Sequence, residues 1–160
     1  MASLATGQKF PIFDLPADSG ENVSSESLAG QPYVIFFYPK DDTSGCTLEA
    51  LDFTALAPDF VKAGVRVFGV SPDGIDKHCR FRDKHSLAVP LLSDPELALL
   101  EPAGVWVQKS MYGKTYMGVE RTTVLVDKAG AVRRVWPKVK VQEHASEVLE
   151  EARRLAGTSA

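Results

Sequence analysis

The longest unbroken run of apolar and aromatic residues spans positions 33–38 and is rich in residues that favour strands. A run of this length is too short for a buried helix, so it predicts a central strand that is buried on both faces. Pro39 ends the strand because proline cannot donate to a ladder. After Cys46 the apolar residues recur with a helical period, at Leu48, Leu51 and Ala55. The pattern therefore predicts a strand that turns into a helix close to Cys46.

Further elements follow from the same periodicities. We expect strands at 65–70, 122–126 and 131–136, and helices at about 75–85 and 142–156. Pro58 either kinks the Cys46 helix or opens a new turn that ends at Gly64. The order strand, helix, strand indicates a right-handed crossover, in which residues 65–70 form a parallel neighbour of the first strand. The class is therefore α/β.

The N-terminal third and the middle of the chain give weaker patterns. Residues 10–15 and 22–24 suit the two arms of a short hairpin, and residues 24–30 suit one helical turn. Residues 91–96 are expected to form a loop and the start of a short helix. No repeat, linker or low-complexity segment interrupts the chain, so residues 1–160 are expected to form a single domain.

Composition narrows the function classes. With 160 residues, 44% hydrophobic and 24% charged, the chain has the make-up of an ordinary soluble domain. A net charge of −3 offers no electrostatic reason to expect nucleic acid or an anionic membrane as partner. No apolar run reaches membrane-spanning length, and the N-terminus lacks the pattern of a secretory signal. We therefore expect a cytoplasmic protein, in which two cysteines are redox-active rather than structural.

Cys46 is the first candidate for chemistry. The amides of a helix's first turn lack intrahelical partners and carry partial positive charge, which favours a thiolate. Hydroxyl groups flank the cysteine at Thr43, Ser44 and Thr47. The alternative is that Cys46 is a small buried hydrophobic residue, a common role of free cysteine. Its place at a strand-to-helix junction with polar neighbours favours the reactive interpretation.

The residues around Cys46 resemble a known family. Pro39, Thr43 and Cys46 form the pattern P-x-x-x-T-x-x-C, which resembles the active-site motif of the peroxiredoxins. The longer segment 37–47 resembles the subfamily called peroxiredoxin Q or bacterioferritin comigratory protein. Residues 104–106 and 111–114, followed by an arginine before a strand, resemble the same subfamily.

The resemblance implies a fold and an activity. It implies a thioredoxin-like fold, with a central mixed sheet flanked by helices and an N-terminal hairpin extension. It also implies a peroxidase that reduces hydrogen peroxide and organic hydroperoxides, is recycled by thioredoxin or a similar dithiol protein, needs no metal or organic cofactor, and is a monomer. The sequence itself shows no CxxC, HExxH or clustered His/Cys pattern that would indicate a metal site.

The resemblance also assigns roles to residues of the site. The Cys46 thiolate attacks one peroxide oxygen and becomes a sulfenic acid. Thr43 and backbone amides bind the peroxide oxygens, and Pro39 shelters the site from water. Arg121 holds its guanidinium against the sulfur, where a fixed positive charge and planar donors steady the reaction. Without the motif, Arg121 would be interpreted as a surface residue in an ordinary ion pair.

Cys79 is the candidate resolving cysteine. Many members of the subfamily place this cysteine shortly after the reactive one, but the corresponding residue here is Leu51, which excludes that short-range disulfide. Other members carry it in the next helix, about one turn beyond Cys79, near Arg82. We expect Cys46 and Cys79 to be apart when reduced and oxidation to unravel one or both helices locally. A basic neighbourhood would favour a Cys79 thiolate, and it is expected from His78, Arg80 and Arg82.

Several alternatives stay open. Cys79 could be inert, with an external thiol resolving Cys46, or oxidation of Cys46 could serve a non-catalytic peroxide-sensing switch. A thioredoxin-like disulfide reductase is disfavoured because no second cysteine lies two or three residues from Cys46. Glu49 resembles the Glu that follows the reactive cysteine in this family, but an exposed first-turn acid that favours the helix dipole explains it equally well. Trp106 and Tyr112 are expected to be core or site-wall aromatics. His144 has no assigned role.

Overall fold

The computed structural model describes residues 4–158. In chain order the elements are β1 (Asp14–Pro16), β2 (Asn22–Ser24), β3 (Tyr33–Phe37), α1 (Ser44–Lys62), β4 (Arg66–Ser71), α2 (Ile75–His85), β5 (Leu91–Ser93), β6 (Trp106–Met111), β7 (Lys114–Val119), β8 (Thr122–Val126), β9 (Val132–Trp136) and α3 (His144–Thr158). A five-stranded sheet with the spatial order β5-β4-β3-β8-β9 forms the centre. The strands β1 and β2, and likewise β6 and β7, form separate two-stranded hairpins.

The central sheet is mixed, as expected. β3 pairs with β4 in parallel and with β8 antiparallel, so the strand that leads to Cys46 lies in the middle of the sheet. The parallel pair is joined by α1, which confirms the predicted crossover. The predicted strands next to β3 and the helix over 75–85 are present, and the small β1–β2 hairpin confirms the N-terminal extension.

Alternation along β3 divides the core into two parts. Tyr33, Ile35 and Phe37 face a hydrophobic cluster that includes Phe10 and Phe13 from the N-terminal segment. Val34, Phe36 and Tyr38 face the other cluster, which contains residues of α1, including Cys46, and residues of α2 and α3. Because successive side chains of a strand point to opposite faces, a strand inside such a sheet is apolar at every position. This is the physical basis of the unbroken apolar run.

In the middle of the chain one prediction is wrong and one hairpin was not predicted. Leu91–Ser93 is a short edge strand that pairs in parallel with β4, whereas a loop was expected there. Three residues are too few to show a period, and only the pairing with β4 makes them a strand. The β6–β7 hairpin was not predicted at all; most of its side chains are exposed, so it shows no apolar alternation. Its turn has positive φ angles at Tyr112 and Gly113, as a type I′ turn requires.

Helix α1 runs through Pro58 without a break and ends at Lys62. The sequence left open a kink or a new turn at this proline. Gly64, at a φ of 74°, allows the chain to reverse, and the amide of Val65 donates to the carbonyl of Phe60 at 3.0 Å. The predicted boundary at Gly64 is therefore confirmed, although one helix rather than two precedes it.

Candidate active site

Cys46 lies in the first turn of α1, directly after the loop that leaves β3. Thr43 is the N-cap, in an extended conformation, and its carbonyl accepts the first helical hydrogen bond from Thr47 at 2.8 Å. The amides of residues 44–46 come before that bond and have no helical partner, so their partial positive charge faces this end of the helix. The Cys46 side chain is 1% exposed and packs in the helix-side cluster. The buried thiol therefore lies beside the partial positive charge of the first-turn amides.

Arg121 reaches the sulfur from the segment between β7 and β8. Its Nη2 donates to Cys46 Sγ at 3.1 Å, and its Nη1 donates to Glu49 Oε1 at 2.7 Å. Pairing of β8 with β3 carries residue 121 to the end of the sheet at which α1 begins. The structure therefore brings Arg121 and Cys46 into direct contact, and the alternative of an ordinary surface arginine does not apply.

Gly45 leaves the room that the guanidinium needs. A Cβ at this position would lie 3.2 Å from Arg121 Nη2, closer than almost all real contacts of this kind. The absence of a side chain at residue 45 thus helps to determine where the guanidinium rests against the sulfur.

Glu49 is a member of the site, so of the two interpretations that the sequence left open the exposed acid does not apply. It is 1% exposed, on the same helix face as Cys46, and it is ion-paired with Arg121. Its second oxygen, Oε2, has no hydrogen-bond partner among the described residues. Burial raises the pKa of Glu49 to about 7, although the guanidinium of Arg121 acts in the opposite direction. The three-residue spacing from Cys46 was the available signal, but burial of this face depends on the tertiary packing.

Thr43 and Pro39 lie in the loop that precedes Cys46. Thr43 is exposed, and its hydroxyl donates to the carbonyl of Lys40 at 3.0 Å rather than capping the helix. Pro39 is partly buried and lies two residues after the end of β3. Both residues lie near the start of α1, at the same end of the sheet as Arg121.

Cys79 lies on α2 and does not contact Cys46. Both cysteines are free, and Cys79 Sγ donates to the carbonyl of Asp18 at 3.3 Å. Arg82 Nη1 donates to the same carbonyl at 3.0 Å, so one of the expected basic neighbours is present. His78 is not a neighbour of the Cys79 sulfur, because its ring is fully buried and hydrogen-bonded to Asp41. Arg80 is exposed. The prediction of a basic environment built from all three residues is therefore wrong for His78.

Of the predictions for the two aromatic residues, one is confirmed and one is wrong, and His144 gains a structural role. Trp106 packs partly buried against the core, as expected, whereas Tyr112 is 95% exposed at the tip of the β6–β7 hairpin and forms no wall. His144 has a structural partner, since its Nε2 lies 2.8 Å from the hydroxyl oxygen of Thr123 on β8. Burial lowers its pKa to about 4. The ring is therefore neutral and joins α3 to the sheet.

Residues 4–158 contain neither a cluster suited to a metal ion nor a helix suited to a membrane. No group of three or more His, Cys, Asp or Glu side chains in this range is arranged to hold a metal ion. No helix in the same range has the length and apolarity needed to cross a membrane.

Comparisons with known proteins identify relatives that match most of the chain. The model of the AhpC/TSA family matches residues 6–135. A putative peroxiredoxin Bcp of Coxiella burnetii is 48% identical over 92% of this chain and 97% of its own length. The peroxiredoxin Bcp of Bacillus subtilis is 44% identical over 92% of this chain and 94% of its own.

Solved structures show the same relationship. The bacterioferritin comigratory protein of Xanthomonas campestris, studied for its alkyl peroxide reduction activity, superposes with a TM-score of 0.88 at 40% identity, covering 95% of this chain and 99% of that chain. A cysteine-to-serine mutant of PrxQ from Xylella fastidiosa gives a TM-score of 0.91 at 30% identity, covering 96% and 98%. The fold is the thioredoxin-like fold of these enzymes. The chain belongs to the AhpC/TSA family and, within it, to the peroxiredoxins of the Bcp or Q type.

Proposed function

We propose that the chain is a thiol-dependent peroxidase that reduces hydrogen peroxide and organic hydroperoxides at Cys46. The thiolate attacks one peroxide oxygen, an S–O bond forms and the O–O bond breaks. The other oxygen leaves with a proton as water or an alcohol, and Cys46 becomes a sulfenic acid. The observation that carries the proposal is the 3.1 Å contact between Arg121 Nη2 and Cys46 Sγ at the start of a helix.

Arg121 acts electrostatically in this reaction. Its charge stays fixed at all working pH values and favours the thiolate before attack. As the O–O bond lengthens, negative charge moves to the leaving oxygen, where planar N–H donors stabilise it. Glu49 accepts the second hydrogen bond of the guanidinium and so orients it toward the sulfur.

Thr43 and Pro39 complete the proposed peroxide site. The Thr43 hydroxyl can rotate from the carbonyl of Lys40 to donate to a peroxide oxygen, because it is exposed and makes no capping bond. The free amides of the first turn offer further donors. Pro39 offers no N–H and covers the site with apolar surface.

Cys79 is proposed to resolve the sulfenic acid. Its sulfur attacks Cys46 Sγ, a disulfide forms and water leaves with the sulfenic oxygen. In the reduced protein the Cys46 sulfur accepts a hydrogen bond from Arg121, and the Cys79 sulfur donates one to the carbonyl of Asp18. This step therefore requires local opening of α1, α2 or both. A dithiol protein such as thioredoxin then returns the pair to thiols by exchange. We further propose that the enzyme works as a cytoplasmic monomer.

The test is the intact mass after one equivalent of hydrogen peroxide without reductant, on wild type and on Cys79→Ser. Loss of two hydrogens in wild type, together with a trapped sulfenic acid in the variant, is the expected result. Sulfenic acid in both proteins would make Cys79 a bystander. An unchanged Cys46 in both would overturn the peroxidase itself.

The second candidate is a one-cysteine peroxidase that an external thiol resolves. Leu51 in place of a nearby cysteine favours it, and so does the fact that each free cysteine has its own hydrogen-bond partner, Arg121 for Cys46 and the carbonyl of Asp18 for Cys79. Steady-state turnover distinguishes the candidates. With thioredoxin as donor, the proposed enzyme loses turnover in Cys79→Ser, whereas a one-cysteine enzyme keeps it. A peroxide-sensing switch would show oxidation without sustained turnover with any dithiol donor.

A further inference from the structure

A group of buried polar side chains joins the loop before Cys46 to helix α2. The Tyr38 hydroxyl donates to Asp41 Oδ1 at 2.6 Å, and Asp41 Oδ2 lies 2.5 Å from His78 Nδ1. The side chains of Asp41 and His78 are 0% exposed. No step of the peroxidase reaction uses these groups. Because buried polar groups are costly to desolvate, their retention in the core calls for a physical role.

The protons in this group can be assigned from its partners. His78 Nε2 lies 2.9 Å from the carbonyl oxygen of Leu92, which only accepts, so Nε2 carries a hydrogen. A further proton lies between His78 Nδ1 and Asp41 Oδ2, because two acceptors would repel at 2.5 Å. The contact is therefore a short, charge-assisted hydrogen bond without competition from water.

A second contact supports the first. The amide of Asp41 donates to Asp73 Oδ2 at 2.6 Å, and the Ser71 hydroxyl donates to the same oxygen at 3.1 Å. Asp73 lies in the segment that leads from β4 into α2. The loop is thus bonded both to the entry of α2 and to its first turn.

The position of His78 links this group to the second cysteine. His78 directly precedes Cys79, and their side chains point in different directions: one into the core, the other to the carbonyl of Asp18. A disulfide requires Cα atoms within about 7 Å, so Cys79 must leave its place to meet Cys46. Its chain neighbour His78 must then move too, and the bond to Asp41 must break.

We propose that the Asp41–His78 hydrogen bond is a positioning contact that keeps α2 closed on the active-site loop and limits the rate of disulfide formation. The proposal rests on the resolving role of Cys79 in the proposed function. While α2 stays closed, the sulfenic acid persists, and a second hydroperoxide can convert it to sulfinic acid with release of an alcohol or water. The strength of this bond therefore sets how much peroxide the enzyme withstands.

Two substitutions of His78 form a matched pair. In His78→Gln the amide group takes the place of Nε2, near Leu92, and the bond to Asp41 is lost. In His78→Asn the amide takes the place of Nδ1, so that its N–H donates to Asp41 and the bond is kept. His85→Asn is the control on the same helix, because its amide takes the place of Nδ1 and so removes the partly exposed contact of 2.9 Å between His85 Nε2 and Asp42 of the same loop.

The experiment measures the rate of Cys46 oxidation and the rate of disulfide formation separately. The protein is mixed with hydrogen peroxide, quenched rapidly and alkylated, and its mass is then determined. For His78→Gln we expect disulfide formation to be about tenfold faster, as loss of one net hydrogen bond allows, and oxidation of Cys46 to stay within about twofold. The yield of sulfinic acid at high peroxide should fall. His78→Asn and His85→Asn should each form the disulfide within about threefold of the wild-type rate.

Several outcomes would overturn the proposal. If Gln and Asn at position 78 accelerate the disulfide equally, the effect comes from loss of the ring and not from the bond to Asp41. An unchanged disulfide rate in His78→Gln, or a slower oxidation of Cys46, also contradicts it. If His78→Gln does not fold, Tyr38→Phe removes one bond to Asp41 and should accelerate the disulfide by about threefold; no acceleration there counts against the proposal. Failure of the proposed function differs from all of these, because wild type then forms no disulfide.

Discussion

At the scale of single residues, three side chains determine the chemistry of the site. Cys46, Arg121 and Glu49 form a continuous chain of contacts from sulfur to guanidinium to carboxylate. Each member is buried or nearly so, which strengthens the electrostatic interactions among them. We therefore expect the reactivity of the thiol to depend on both partners. Glu49 is close to Cys46 in sequence, whereas Arg121 is distant from both.

Removal of the guanidinium tests the first contact. We expect Arg121→Gln to lower the second-order rate of Cys46 oxidation by about a hundredfold, because both the thiolate and the leaving oxygen lose their fixed positive partner. Stopped-flow or competition kinetics with hydrogen peroxide measures this rate. Arg133→Gln is the control, since Arg133 is exposed on β9 and its ion pair with Asp127 spans 4.0 Å. A loss below about threefold in Arg121→Gln would contradict the assigned role.

The buried carboxyl of Glu49 makes stability depend on pH. Burial raises its pKa from 4.5 to about 7 in the folded protein. Between these values the folded state binds more protons than the unfolded state, so this contribution is complete below pH 4.5 and is lost as the pH rises through 7. Relative to Glu49→Gln, wild type should lose about 3 kcal/mol of unfolding free energy between pH 4.5 and pH 8.

Urea unfolding of both proteins across this range measures the difference. Groups that titrate elsewhere act equally in the two proteins and cancel in the comparison. Parallel curves for wild type and Glu49→Gln would show that the carboxyl does not titrate in this window.

At the scale of elements, the site depends on the junction between β3 and α1. β3 carries the chain through the core to Tyr38, and the loop then places Cys46 in the first helical turn. Pairing of β8 with β3 brings Arg121 to the same end. The geometry of the site is therefore a property of one strand pair and one helix start.

Gly45 tests this junction. In Gly45→Ala the new Cβ would lie 3.2 Å from Arg121 Nη2, so the guanidinium must move away from the sulfur. We expect Cys46 oxidation to slow by about tenfold, while the free energy of unfolding stays equal or rises by about 0.5 kcal/mol, because alanine is the better helix former. Gly74→Ala is the control, since a Cβ there would meet nothing within 4 Å. Equal rates in the two variants would contradict the steric argument.

At the scale of the whole molecule, the two cysteines of the proposed cycle lie in different parts of the fold. The peroxide-reducing site is anchored to the central strands, whereas Cys79 lies on α2, whose neighbour in the sheet is the three-residue edge strand β5. α2 has two buried residues among eleven, so opening it exposes little apolar surface. The fold thus allows one cysteine to move while the sheet stays intact.

Hydrogen exchange tests this division. In the disulfide form we expect the amides of Ile75–His85 to exchange at least about tenfold faster than in the reduced protein, while β3, β4 and β8 keep their protection. Cys79→Ser treated with the same peroxide is the control, because it cannot form the disulfide and should keep α2 protected. Full protection of α2 in the disulfide form would show that the helix need not open.

An element could be predicted from the sequence where its own apolar and polar residues form a clear pattern. β3 and β4 are buried strands with apolar runs, and α2 is bounded by a turn before it, so local sequence suffices for them. β5 and the β6–β7 hairpin lack such a pattern, since one is too short and the other is mostly exposed on both faces. Their pairing partners, rather than their own residues, make them strands.

By itself, the sequence determined the α/β class, the position of Cys46 at a strand-to-helix junction and the family resemblance through Pro39, Thr43 and Arg121. These features are local, because they depend on period, turn residues and motif spacing. Only the tertiary structure decided that Glu49 is buried against Arg121, that His78 faces Asp41, and that the two sulfurs are bonded to different segments. These contacts join residues far apart in the chain, and burial is a property of the packed molecule that no local pattern encodes.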